Sequence, residues 1–186
     1  MPGPRIPLLD ESSATGEAAE LLATSHVGGR LLNIFRCLAQ HPKLMKRWRV
    51  FASHVLGKST LPLREREILI LRTGWLCHSA YEFGQHTEIG LDCGLTEEEI
   101  ARIVEGADAS GWSADDRLLL LAADELRGEC RISDSTWAAL SRRWDRQQMM
   151  DIVFTVGNYT LVAMALNSFG VPLDKGVPGF PRGRAS

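Results

Sequence analysis

The amino-acid sequence predicts an all-α fold, a single-domain helical bundle. Three observations carry that expectation. Apolar residues recur three and four positions apart through most of the 186 residues, the spacing that lines up one helix face. Glycines and prolines fall between those stretches, where helices stop. Strand-like alternation of apolar and polar residues stands out nowhere.

Along the chain, residues 1–14 form an extended lead with Pro2, Pro4 and Pro7, and the helical domain runs over residues 15–175. Its first helix covers about Thr15 to Ser25, with Glu17, Glu20 and Leu21 setting the faces, and Gly28-Gly29 breaks it. Leu31, Leu32, Ile34, Phe35 and Leu38 give a second, stopped by His41-Pro42, since proline inside a helix removes a donor and clashes with the preceding turn. Leu44, Trp48, Phe51, Val55 and Leu56 form a third, ending at Gly57. Pro62 sits where a first-turn proline is tolerated and opens a fourth. That helix carries Ile68, Leu69, Ile70 and Leu71, is apolar all round, and is expected at the centre. Ser79-x-x-Glu82 has capping-box spacing and opens a fifth, whose end Gly90 and Gly94 bracket. Thr96-x-x-Glu99 repeats the signature for a short helix to about Val104. Ser113-x-x-Asp116 resembles another start, for a helix through Leu118, Leu121 and Leu126. Ser133 to Trp144 is amphipathic, and the last long helix runs from about Arg146 to Phe169, stopped by Gly170 and Pro172. Residues 176–186 are a Pro/Gly/Arg-rich tail, expected to lie extended on a neighbour or to be disordered.

Hydrophobic residues make up 45% and charged residues 24%, as in a globular protein able to bury a core. A net charge of -2 gives no electrostatic reason to expect nucleic acid or an anionic membrane as partner. No apolar run approaches bilayer-spanning length, and the opening MPGPRIPLLDESSATGE lacks the apolar core of a secretory signal. A cytoplasmic location is the expectation. The four cysteines, Cys37, Cys77, Cys93 and Cys130, form no CxxC pair and read as reduced thiols, with Cys37 and Cys130 packed in helices.

The chemistry concentrates in LPLREREILILRTGWLCHSAYEFGQH, residues 61–86. Ser79, Glu82 and His86 are separated by three and four, so they share one helix face. Glu67 lies on the preceding helix, and a helix hairpin brings its carboxylate towards that face. Neighbouring negative charge favours the imidazolium and burial favours the neutral ring, so a histidine between two carboxylates is a competent acid/base group. The helix start at Ser79 offers backbone N–H groups to a substrate carboxylate or enolate. Plainer readings stand beside these. Glu82 completes a capping box with Ser79, or His86 staples two helices through Glu67. Tyr81 and Gln85 line the same pocket or merely pack, and Trp75 is core. Arg64, Glu65, Arg66 and Arg72 form a solvated or subunit-facing charge stripe. Cys77 precedes a helix start next to His78, where a thiol pKa can fall. A metal set from Cys77, His78, His86 and Cys93 lacks the paired short spacing of structural zinc, and no metal is expected. No phosphate loop, dinucleotide fingerprint or nucleophile elbow is present, so no cofactor is expected either.

The segment LREREILILRTGWLCHSAYEFGQHTEIGLDCGLTEEEI, with the closing NYTLVAMALNSFGVPLD, resembles the carboxymuconolactone decarboxylase superfamily, which also holds the alkylhydroperoxidase-D-like peroxidases. The resemblance covers about Arg5 to Pro178. It implies an all-α bundle whose copies associate into dimers, trimers or hexamers. Redox members use a glutamate, a CxxC pair and a histidine four residues beyond the second cysteine. Matched back from His86, those positions are Glu82, Ser79 and Glu67, so both cysteines are absent while glutamate and histidine remain. The decarboxylase branch also lacks the pair and keeps the histidine. Tyr81-Glu82-Phe83 is similar to a third group with a YEW-like motif.

The resulting expectation is a cofactor-free decarboxylase or isomerase acting on a small carboxylated or lactone-like metabolite. His86, Glu67 and Glu82 are its catalytic residues, with Ser79, Tyr81 and Gln85 at the substrate. The alternatives are a thiol peroxidase using Cys77, or a non-catalytic oligomer that binds ligands. The expected partners are a small-molecule substrate and further copies of the chain.

Overall fold

The computed structural model describes residues 3–181. Among them nine helices make up an all-α bundle: α1 Gly16–Ala23, α2 Asn33–Leu38, α3 Pro42–Gly57, α4 Leu63–Leu76, α5 Ala80–Asp92, α6 Glu97–Glu105, α7 Ala114–Glu129, α8 Asp134–Leu140 and α9 Arg146–Phe169. Side-chain caps fix several starts. Thr96 and Asp145 each form a reciprocal capping box, with Glu99 and Gln148, and Ser113 accepts from the Asp116 amide. Each such cap satisfies donors that the first turn leaves open, and losing one costs about 1 kcal/mol.

The all-apolar reading of the fourth helix is realised in packing. Helix α4 is central, set against α5, α6, α7 and α9, and every residue from Arg66 to Gly74 is buried. Its Ile68, Leu69 and Leu71 join Leu119, Leu120, Ile152 and Trp144 in the main core. A smaller cluster of Leu22, Ala39 and Met45 ties α1 and α2 to α3.

Several expectations need correction. A minimal hairpin, β1 His26–Val27 paired with β2 Arg30–Leu31, crosses the break after α1. Gly28 and Gly29 both have positive φ, as the tight turn requires, and two residues per strand are too few to show alternation in the sequence. The helix read to Trp144 ends at Leu140, and Trp144 is buried beyond it. The tail lies on its own subunit over residues 176–181. A Cβ on Gly84 of α5 would stand 1.9 Å from the Pro178 carbonyl oxygen, and Phe180 packs on Trp75 and Phe83. Residues 182–186 fall outside the described part of the chain. Helix α9 is long and apolar enough to cross a membrane, which the sequence had not suggested, but half of that stretch is buried in the bundle. Cys130 is exposed at the end of α7 rather than packed.

The charge stripe dissolves for the same reason that α4 is central. On a helix buried all round, every charge must find a partner. Arg66 reaches Glu67 and the Leu56 carbonyl, and Arg72 reaches Asp124 and the Ile103 carbonyl. Arg64 binds Asp116 and Glu99, while Glu65 accepts from the Trp144 indole.

Candidate active site

Helix α4 ends in a tight reversal. The Ser79 amide donates to the Gly74 carbonyl and the His78 amide to the Trp75 carbonyl, with His78 at φ 55°. These are the two bonds of a Schellman cap, made here without glycine. The chain turns back at once into α5, and the two helices run side by side.

That hairpin brings Glu67 and His86 together: Nδ1 of His86 lies 2.7 Å from Oε2 of Glu67. The other carboxylate oxygen accepts from Nε and Nη2 of Arg66, at 3.1 and 2.8 Å. Glu67 is 0% exposed and His86 7%. Burial works to raise the Glu67 carboxyl, but the His86 ring and the Arg66 guanidinium outweigh it and hold the group below the usual carboxylate range. An ionised carboxylate only accepts, so Nδ1 carries the hydrogen and Nε2 is the ring nitrogen left for other work. The Tyr159 ring stands edge-on to the imidazole, with centroids 4.8 Å apart.

Glu82 behaves in the opposite way. It is 2% exposed, and neither carboxyl oxygen has a hydrogen-bond partner among the described residues. Burial pushes its pKa well above the usual carboxylate range, which favours the protonated form. Half of the expected capping box forms, for Ser79 Oγ accepts from the Glu82 amide. The Glu82 side chain does not fold back to complete it but lies against Gly74 of α4.

A cavity of about 310 Å³ opens beside these groups. Glu82, Gln85, His86, Asn158 and Tyr159 form its polar wall, and Phe35, Trp48, Leu56, Val162 and Leu166 supply apolar walls. Tyr81 lines it too, but its hydroxyl is taken: it bonds Asp174 and accepts from the Ile34 amide. Asp174 also accepts from Gln85 Nε2 at 2.8 Å. Of the residues expected at substrate, Tyr81 and Gln85 therefore reach the cavity, whereas Ser79 is wholly buried and does not line it. Glu67 stands behind His86, outside the lining.

Cys77 falls outside the cavity as well. Burial raises its thiol pKa, with Glu82 adding to the effect and Arg127 opposing it. A helix start can lower a thiol pKa, but here burial outweighs the local field, in keeping with the reading of Cys77 as a buried, inert thiol. Among the described residues, no three of His, Cys, Asp and Glu converge to hold a metal ion.

Sequence reasoning missed Arg66 as a site residue, and also Asp174, Asn158 and Tyr159. Arg66 had a signal, since a charge inside an all-buried helix needs a partner. Asn158, buried with Oδ1 unpartnered, was the one amide within the middle turns of α9. Asp174 carried no local signal, because its partners lie far away in the sequence.

The Carboxymuconolactone decarboxylase family model matches residues 42–125, which hold α4 and α5 and with them the whole Glu67–His86 pair. No curated protein sequence matches. Among solved structures, the chain is similar to an alkylhydroperoxidase AhpD core, a peroxidase-related protein from Ralstonia eutropha JMP134. The TM-score is 0.81 at 16% identity, covering 94% of both chains. A peroxidase-related protein from Silicibacter sp. TM1040 gives 0.80 at 14%, covering 95% of this chain and 97% of that one. The debrominase Bmp8 in complex with 2,3,4-tribromopyrrole gives 0.76 at 10%, covering 91% of each. At these identities the structural likeness is one of fold, and the family model carries the kinship. Residues 42–125 thus match the carboxymuconolactone decarboxylase family, on a fold of the alkylhydroperoxidase-D-like type.

Proposed function

We propose that this protein is a cofactor-free proton-transfer enzyme acting on a small carbonyl compound, by decarboxylation or isomerisation. The observation that carries the reading is the 2.7 Å bond from His86 Nδ1 to Glu67, with the ring at the wall of a ligand-sized cavity. Arg66 keeps Glu67 ionised, Glu67 fixes the tautomer, and Nε2 acts as the base. In isomerisation, Nε2 takes a proton from the carbon next to the carbonyl. The C–H electron pair moves into the enolate, and the same proton returns at a more distant carbon as the double bond shifts. In decarboxylation, the C–C pair moves into the enolate as carbon dioxide leaves, and protonated His86 delivers a proton to carbon. The neutral acid Glu82 is a second polar wall, a donor with no internal partner, suited to meeting developing negative charge on oxygen.

The test is proton exchange in heavy water. Small lactones and enones are incubated with the protein, and loss of the proton next to the carbonyl is followed by NMR. Wild type should exchange at least one of them, while His86→Ala should lose about 10²–10⁴-fold of the rate and keep its helical circular dichroism. Equal exchange by the two proteins would sink the reading. A thiol peroxidase built on Cys77 has less support, since that thiol is half-buried, raised in pKa and away from the cavity.

We also propose that copies of this chain associate through the outer face of α9, where Met150, Phe154, Leu161 and Met164 are exposed.

A further inference from the structure

The proton-transfer reading leaves open whether the cavity takes a carboxylated or an uncharged compound. The charges around its polar wall bear on that choice. A carboxylate ligand needs a cation or several free donors to replace its water shell. Arg49 lines the cavity, but its guanidinium already donates to the Leu21 and Thr24 carbonyls and to Thr24 Oγ1 at the end of α1. Arg66 is fully engaged by Glu67 and the Leu56 carbonyl. His26 also lines the cavity, with Nε2 3.5 Å from Glu11, and Arg30 near Tyr81 donates to the Lys175 carbonyl, so both are engaged. The other charges beside the polar wall are negative. Glu67 stands directly behind His86, and Asp174 stands behind Tyr81 and Gln85, which it holds by their polar ends. Glu82 is buried with no donor near its oxygens, and Asn158 presents another unpartnered oxygen in the same wall. The rest of the lining is aromatic and aliphatic, among it Trp48, Phe35 and Val162.

We propose that this cavity selects an uncharged, mostly apolar ring compound bearing one carbonyl, and rejects its carboxylate counterparts. Such a ligand lays its ring on the apolar walls and brings its carbonyl to the Glu82 side, where no ion has to be stripped of water. The inference rests on the proton-transfer reading and narrows it to isomerisation, because decarboxylation requires a carboxylate on the substrate.

Acetophenone and benzoate have nearly the same planar shape and differ in charge, so they serve as probes. Their binding to the full chain is measured by ligand-observed NMR at about pH 7, alongside Ala52→Trp, whose larger side chain fills the cavity from α3. Acetophenone should bind at least about tenfold more tightly than benzoate. Ala52→Trp should abolish that binding. Benzoate binding as tightly as acetophenone overturns the proposal, and so does acetophenone binding that survives Ala52→Trp or binding of neither compound. The two readings fail separately. If neutral selectivity holds while His86→Ala leaves proton exchange unchanged, the ligand class stands and the chemistry falls. If exchange depends on His86 but benzoate wins, the chemistry stands and decarboxylation returns.

Discussion

At the residue scale, Glu67 and Glu82 show how neighbours decide what a carboxyl group is. Both are buried within two turns of each other on packed helices, yet one has an arginine and an imidazole and the other has nothing. The first environment favours the anion and the second the protonated acid. The sequence shows both glutamates on apolar helices but not this division, because Arg66 and Glu67 are adjacent in sequence while the absence of donors around Glu82 is a three-dimensional fact. The division has a consequence for stability. The folded pKa of Glu82 lies above the 4.5 of the free side chain, so the folded state holds a proton that the unfolded state releases as pH rises. Stability from this group is therefore whole below about pH 4.5 and declines above it, towards the raised folded value. Glu82→Leu removes two unpartnered buried oxygens and should stabilise the protein by about 1–3 kcal/mol near neutral pH. Its advantage over wild type in thermal melts should widen from about pH 5 to pH 8. A Leu variant that melts below wild type at the alkaline end would show that Glu82 has a partner the fold conceals. Glu67 has the opposite sign: its contribution is present above the ordinary carboxylate range and is lost as pH falls through its depressed value.

At the scale of the element, α4 explains both what was legible and what was not. Its all-round apolar pattern announces a central helix, and nine consecutive buried residues follow. The same fact forbids the charge stripe that its arginines suggest when read as a surface pattern. Spacing alone put Ser79, Glu82 and His86 on one face. It also marked Ser79 as the cap of α5, which it is, but could not decide whether Tyr81 and Gln85 reach the cavity, since that depends on Asp174 arriving from beyond α9. The helix pair is held at its buried middle by the Arg66–Glu67–His86 chain. Breaking it at the arginine leaves an uncompensated anion in the core, so Arg66→Met should cost about 3–5 kcal/mol. Replacing both partners together, Arg66→Met with Glu67→Gln, should recover a large part of that loss, because no charge is then stranded. Urea titrations of the two variants read the difference. A double variant no more stable than Arg66→Met alone would mean that the arginine acts by packing rather than by charge.

At the scale of the molecule, α9 carries more apolar surface than one chain uses. Its inner side, with Ile152, Val156 and Ala163, is buried in the bundle. On its outer side Met150, Phe154, Gly157, Leu161 and Met164 fall at alternating spacings of four and three, the seam of a helix that packs against another helix. The four side chains are each more than half exposed, and nothing lies within 4 Å of where a Gly157 Cβ would stand, so a second backbone has room to come close. Phe51 of α3 stacks edge-on against Phe154, and Val50 beside it is exposed, which widens the apolar face. Burying such side chains is worth about 1.5–3 kcal/mol each, and a heptad seam on the one 24-residue helix suits a second copy of the same helix as partner. This also accounts for why the sequence could not separate core from interface: both sides of α9 are apolar, and only the bundle shows which one is already covered. Light scattering on the purified chain should give a mass of at least two copies of its 20.6 kDa. Phe154→Glu combined with Leu161→Glu should bring it to a single copy while leaving the helical signal intact, since neither residue contributes to the buried core. A wild-type mass of one copy, or an assembly that tolerates both glutamates, would place the contact elsewhere and leave this stripe without a partner.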